Sequence, residues 1–273
     1  MNEDMIAHWN GPAAERWTRL QSIYDQALEP FSAGALRLAA ANSGERVLDV
    51  GCGCGDTVLA LAERVGSSGK VVGIDISGPM LERARQRAAS LPQVELVLAD
   101  AATATIAPEF DLLFSRFGVM FFDDPVAAFG NLHRALRANA RLAFVCWREF
   151  EENPWASLPV AAVARVIPQA KDIWNKDAPG PYSLADRDKT SRMLSAAGFH
   201  AVDIERFDAL VTPPGSGQAS IVDFALAAGP AARMLADAGP EVVAKVREEL
   251  TRTYEAQPDL ALAGSSWLVS ARR

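Results

Sequence analysis

The chain has 273 residues, 49% hydrophobic and 22% charged, a composition that builds a real core and excludes a disordered, collagen-like or low-complexity chain. With 34 Asp and Glu against 27 Lys and Arg, the net charge of -7 argues against nucleic acid or an anionic membrane as the main partner. No apolar run reaches the ~18 residues of a membrane span, the acidic opening Met1-Asn2-Glu3-Asp4-Met5 lacks a signal-peptide pattern, and three cysteines make no disulfide framework, so a cytoplasmic protein is expected.

Ala14 to Ala41 has helical periodicity, with Trp17, Tyr24 and Phe31 seven apart and so on nearly one face. From Glu45 to Trp147 short β-branched apolar runs alternate with helical patterns, the signature of βαβ units around a parallel sheet. The strands expected there are 46–50, 70–74, 94–98, 111–114 and 141–147. Val58, Leu61, Ala62 and Val65 follow Thr57 at helical spacing, Ser77-Gly78-Pro79 opens a second helix, and Asp124-Pro125 opens a third that carries Val126, Phe129, Leu132 and Leu136 and closes near Asn139. A Pro- and Trp-rich segment, 148 to about 185, interrupts the alternation. Helix resumes at 188–197, a strand at 199–211, a helical pattern over 221–254, and a last strand at 266–271.

The strongest chemical signal is Val47-Leu48-Asp49-Val50-Gly51-Cys52-Gly53-Cys54-Gly55, a strand running into a glycine turn and then a helix. Such a turn lets backbone approach a ligand closely, and the helix start offers N–H groups and a positive dipole end. Asp75 and Asp100 end the next two strands, where acids can take ribose hydroxyls and other donors at one crevice. Among the histidines, His133 reads as a boundary residue, His200 as structural, and His8, nearer the expected site mouth, as a candidate base of low weight. Cys52 and Cys54 have no second Cys or His pair to complete a zinc site, so no metal is expected.

These residues together resemble the cofactor half of the class I S-adenosylmethionine-dependent methyltransferases, in their small-molecule subgroup. The resemblance implies that Asp49 with Gly51, Cys52, Gly53 and Gly55 holds the methionyl end of S-adenosylmethionine, that Asp75 binds the ribose, that Ile76 and Met80 flank the adenine, and that Asp100 and Ala101 read its edge. Ser115 stands where the family places residues near the methyl and amino groups. Trp9 to Trp17 resembles a lid helix of that subgroup. Trp9, Trp17, Tyr24, Arg116, Phe117 and Trp147 are accordingly expected to meet the substrate. Ala138-Asn139-Ala140 replaces the family's Pro-Gly-Gly, and Cys54 stands where Thr, Ser or Ala is usual.

The implied fold is a doubly wound, Rossmann-like α/β sheet of seven strands in the order 3-2-1-4-5-7-6, strand 7 antiparallel, with helical cap insertions. Its expected division is an N-terminal lid (1–41), a cofactor-binding core (42–147), a cap insertion (148–188), a core continuation (189–214), a helical insertion (215–262) and a last strand (263–273). The implied reaction is in-line methyl transfer to an O, N or C nucleophile of a small-molecule acceptor. The alternatives are an NAD-dependent dehydrogenase, whose GxGxxG the third glycine at Gly55 misses by one position, and a non-catalytic regulatory protein that binds the same cofactor. A homodimer is left open.

Overall fold

A computed structural model describes residues 3–168, 178–215, 217–258 and 262–273. In chain order the elements are α1 (Glu3–His8), α2 (Pro12–Arg19), α3 (Gln21–Ala27), α4 (Glu29–Ala39), β1 (Arg46–Val50), α5 (Asp56–Val65), β2 (Lys70–Asp75), α6 (Gly78–Arg87), β3 (Val94–Leu98), β4 (Phe110–Arg116), α7 (Pro125–Arg134), β5 (Leu136–Trp147), α8 (Pro154–Val166), α9 (Arg187–Ala196), β6 (His200–Leu210), α10 (Gln218–Ala227), α11 (Gly229–Met234), α12 (Pro240–Ala256) and β7 (Ala263–Arg272).

The strands form one seven-stranded sheet in the order β3-β2-β1-β4-β5-β7-β6. β1 to β5 run parallel, and β7 runs antiparallel to both neighbours, Val269 lying opposite Phe144 and Ile204. Chain order reverses at β1, which pairs with β2 on one side and β4 on the other, so a crevice opens outside their carboxyl ends. Apolar strands explain why helices must cover both faces. Phe114, Phe129 and Phe144, with Leu48, Leu61, Leu112 and Leu113, have no more than 1% of their surface exposed, each contributing about 1.5–3 kcal/mol by burial.

Several local expectations are revised. The aromatic stripe of the N-terminus does not lie on one helix: Leu20 and Leu28 leave helical geometry and divide the segment into α2, α3 and α4. Trp17 and Tyr24 stay together across the first break, whereas Phe31 turns into the core, fully buried. The helix opened by Asp124 ends at Arg134, because Leu136 is taken by the sheet as the partner of Phe110. β5 is therefore longer than expected, with Asn139 at φ +63° in the irregular stretch before Arg141.

The Pro- and Trp-rich interruption holds α8, and the pattern over 221–254 is three helices, divided at Gly229 and at Gly239-Pro240. Ala162 and Val163 of α8 share a small core of their own with Val222, Ala231, Val246, Leu250 and Tyr254. Part of the 148–188 segment, residues 169–177, lies outside the described residues. Among the described residues no helix is long and apolar enough to cross a membrane.

Candidate active site

The crevice at the end of β1 is a cavity with two unlike walls. Its sheet wall begins with the loop 51–55. Gly51 has φ +70°, and a Cβ there would stand 2.7 Å from Gly118 Cα; at Gly53, φ +54°, a Cβ would stand 2.9 Å from Met80 Cε. Only glycine allows both the left-handed backbone and the close approach. The turn itself bonds inward: Gly51 and Cys52 donate to Ile74 O at 2.9 and 3.4 Å, and Gly55 to Cys52 O at 2.9 Å. Asp56 in the first turn of α5 meets Arg116 at 3.0 Å, so a carboxylate already occupies the positive end of that helix.

Asp75 accepts the Gly53 N–H on Oδ2 and the Ser77 N–H on Oδ1, each at 2.8 Å, which leaves further lone pairs on both oxygens for hydroxyl donors. Burial raises its pKa, and the Ser77 and Gly53 N–H groups partly offset that. Asp100 accepts the Ala102 N–H at 2.9 Å. Gly51, Cys52, Gly53, Asp75, Ile76, Met80, Asp100 and Ala101 all line the cavity. Asp49, Gly55 and Ser115 stand one layer behind it. Asp49 is fully buried, takes the Thr57 hydroxyl at 2.6 Å and leaves Oδ1 without a partner among the described residues. Its burial, only partly countered by Thr57 and Arg116, drives its pKa up to about 7. Gly55 lies against Ala84, and the Ser115 hydroxyl donates to Val50 O at 2.7 Å while accepting the Gly118 N–H at 3.2 Å. These three shape the loop. Burial also lifts both thiols beside it, Cys54 to about 11 and Cys52 well above its ordinary value.

The opposite wall is aromatic. Trp17 and Tyr24 stack at 4.0 Å and 5°, and Trp9 meets Trp17 and Phe121 edge-on. Asn10 anchors this layer to the sheet: its Nδ2 donates to Ile76 O at 2.9 Å and its Oδ1 accepts the Gly78 N–H at 3.0 Å. Phe117 stacks on Trp147 at 4.1 Å and 13°, with Trp155 at 5.2 Å from Trp147. Phe117 holds φ +58°, a conformation costing a bulky side chain ~1–3 kcal/mol. All six residues expected to meet a substrate, Trp9, Trp17, Tyr24, Arg116, Phe117 and Trp147, face this cavity, although the Arg116 guanidinium is held by Asp56 and by the Ser32 hydroxyl at 2.9 Å.

Several lining residues carried no sequence signal: Arg16, Asp25, Tyr182, Phe224 and Arg233. Asp25 is pushed up by burial and by Asp56, and pairs with Arg87 at 2.9 Å and with Gln21. His8 is lowered by burial, then by Arg233 and Arg16, and so is neutral at pH 7. His133, by contrast, packs against Phe199, and His200 sits on the outermost strand. No group of three or more metal-ligating side chains occurs among the described residues.

A family model described as a methyltransferase domain matches residues 47–139. A demethylmenaquinone methyltransferase from Staphylococcus epidermidis is 40% identical over 178 residues, covering 60% of this chain and 71% of that protein. The aklanonic acid methyltransferase DauC from Streptomyces sp. strain C5 is 39% identical over 131 residues, covering 47% of this chain and 59% of its own length. The chain thus spans about six tenths of the length of such relatives. Among solved structures, the cyclase SpnF matches with a TM-score of 0.55 at 20% identity, over 89% of this chain and 79% of that one, a likeness of fold. The chain belongs to the class I S-adenosylmethionine-dependent methyltransferases.

Proposed function

We propose that this member of the class I S-adenosylmethionine-dependent methyltransferases transfers a methyl group to an oxygen, nitrogen or carbon nucleophile of a small, flat, apolar acceptor. The observation that carries the reading is the unlike pair of walls, with Asp25, Asp75 and Asp100 around the glycine turn and stacked aromatics across from them. When bound, the cofactor supplies a methyl group already activated on a cationic sulfur. The residues present fit it. Gly51 and Gly53 let the loop pack against Gly118 and Met80 more closely than any Cβ allows, Asp75 keeps lone pairs for the ribose, Ile76 and Met80 flank the base, and Asp100 and Ala101 lie at its edge. Asp49 and Ser115 support that loop from behind, and Asp25 is an acid suited to the methionyl ammonium.

The same charges speak against the dehydrogenase. Its pyrophosphate wants a helix start with free N–H groups and no acid, whereas here Asp56 occupies the first turn and the Gly51, Cys52, Gly53 and Gly55 N–H groups bond inward. Across the cavity, Trp9 and Trp17 exclude water from the cofactor end, and Phe117, Trp147 and Trp155 offer ring faces to a flat acceptor. Acceptors named for the two relatives, demethylmenaquinone and aklanonic acid, support that class. In-line displacement at an activated methyl needs positioning and a dry site above all, which rigid stacked pairs provide. A chain of this fold is named a cyclase, so the fold alone fixes neither methyl transfer nor catalysis, and function lives in the site.

Calorimetric titration tests the first half. S-adenosylhomocysteine should bind in the micromolar range and NAD should not; NAD binding without S-adenosylhomocysteine binding would overturn the reading. Release of S-adenosylhomocysteine with hydroxylated naphthoquinones as acceptors tests the second half.

A further inference from the structure

Resting on the methyl-transfer reading, the chemistry of the cavity lining reaches further, to the acceptor atom. A hydroxyl must give up its proton as it attacks, and a side chain that accepts protons at neutral pH has then to face it. The lining narrows that role to one residue. Its arginines have no acceptor atom, and its two phenols, Tyr24 and Tyr182, are weaker bases than an imidazole. Burial holds Cys52 and Cys54 as thiols. Asp25 is committed to Arg87 at 2.9 Å and to Gln21, Asp75 to the Gly53 and Ser77 N–H groups, and Asp100 to the Ala102 N–H.

His8 is different. It lines the same space at the C-terminal end of α1, and its ring nitrogens have no hydrogen-bond partner among the described residues. Its neighbours fix its place: Trp9, edge-on to its ring at 5.2 Å, packs with Cys54 and Met80, and Asn10 is tied to Ile76 O and to the Gly78 N–H. The end of α1 is thereby held against the glycine loop and the turn that follows β2. Burial, then Arg233 of α11 and Arg16 of α2, lower its pKa, with Asp4 one turn earlier on α1 itself. The ring is therefore neutral at pH 7 and keeps a free lone pair. Being only half-buried, it can hand a proton on to water.

We propose that His8 is the general base of the reaction and that the acceptor atom is the oxygen of an aryl hydroxyl. As that oxygen attacks the activated methyl carbon, its proton passes to the unpartnered ring nitrogen of His8. The C–O bond forms, the S–CH3 bond breaks, and the bonding pair stays on sulfur, which leaves S-adenosylhomocysteine. The imidazolium of His8 then releases the proton to water.

The test compares two acceptors of similar shape at pH 7: 1-naphthol, whose hydroxyl keeps its proton, and 4-nitro-1-naphthol, already ionised in solution. Release of S-adenosylhomocysteine is the readout. His8→Gln should lower kcat for 1-naphthol by at least about 100-fold, and for the nitronaphtholate by less than about threefold, because an ionised oxygen needs no base. With 1-naphthol the wild-type kcat should rise with pH below the ordinary histidine value of 6.5 and level off above it, and that limb should be missing in the variant. Calorimetric affinities for S-adenosylhomocysteine and for 1-naphthol should change by less than about threefold, which shows the variant folded and its cavity intact. Equal loss with both acceptors, no loss with 1-naphthol, or a pH limb that survives in the variant would overturn the base. So would wild-type turnover of the nitronaphtholate alone, or a fall in S-adenosylhomocysteine affinity that assigns His8 to the cofactor instead. Turnover of neither acceptor by an enzyme that binds S-adenosylhomocysteine would overturn the aryl hydroxyl. Failure of the wild type to bind S-adenosylhomocysteine at all would instead strike the methyl-transfer reading beneath it.

Discussion

On the sheet side of the cavity, the facing residues come from the strand ends and loops between Val50 and Ala101, carried on backbone that the β1, β2 and β3 ladders hold in register. On the helical side they come from α1–α3, α8, α10 and α11, joined by Phe117 and Phe121 after β4 and by Trp147 at the end of β5, segments far apart in sequence that meet mainly through side-chain packing. The sheet wall works with short groups: glycines, carboxylates and a backbone turn. The helical wall works with large rings and long cations. Hydrogen-bonded backbone gives one wall a fixed shape that suits a ligand common to a whole family, while packed side chains let the other vary with the acceptor.

If that contrast holds, damage to the sheet wall should remove cofactor binding outright. Gly51→Val places a side chain where even a Cβ would lie 2.7 Å from Gly118 Cα and forces a β-branched residue to positive φ. We expect S-adenosylhomocysteine affinity to fall by more than about 100-fold, measured by calorimetry, with circular dichroism reporting the fold. Asp75→Ala should cost about 10- to 100-fold in the same assay, equal to ~1.4 kcal/mol per decade. Unchanged affinity would move the ribose acid elsewhere.

The helical wall should respond differently. Trp17→Ala loses the 4.0 Å stack on Tyr24, an arrangement worth ~0.5–1.5 kcal/mol beyond its buried area. It should lower kcat/KM by about tenfold while S-adenosylhomocysteine affinity falls less. Equal loss of both would erase the distinction between the walls.

The last effect is one of pH, read on stability rather than on affinity. Asp49 has its pKa raised from 3.8 to about 7 by burial. Between those values the unfolded chain releases a proton that the folded chain keeps, so this residue lowers stability as pH rises and adds no further slope above pH 7. Asp49→Asn retains an acceptor for Thr57 and should flatten the slope. Urea unfolding at pH 5 and pH 8 measures it, and an unaltered slope would assign it to another group.

Legibility in the sequence follows the same division. Strands β1 to β5 and the acids at their ends were readable because local register fixes them: once Val47–Val50 is a strand, Gly51 and the turn after it must sit at its carboxyl end. The helical wall was readable only where residues share a helix face or a motif, as Trp9 and Trp17 do. Asp25 is one residue past a stripe aromatic, Phe224 and Arg233 lie in a generic helical pattern, and Tyr182 belongs to a segment without periodic or motif signals. What brings them to the cavity is tertiary docking of α10–α12 and α8 around their own core. The ends of α7 and β5 were misjudged for a related reason, since pairing with Phe110 rather than local preference claims Leu136.

Cys52 and Cys54 border the space where an electrophilic methyl group would be handled. A thiolate is the strongest nucleophile a protein ordinarily offers, and one placed here would compete with the acceptor for that methyl group. With Cys54 raised to about 11 and Cys52 well above its ordinary value, about one Cys54 in ten thousand is ionised at neutral pH. The burial that packs the glycine loop therefore also protects the enzyme from alkylating itself, turnover after turnover.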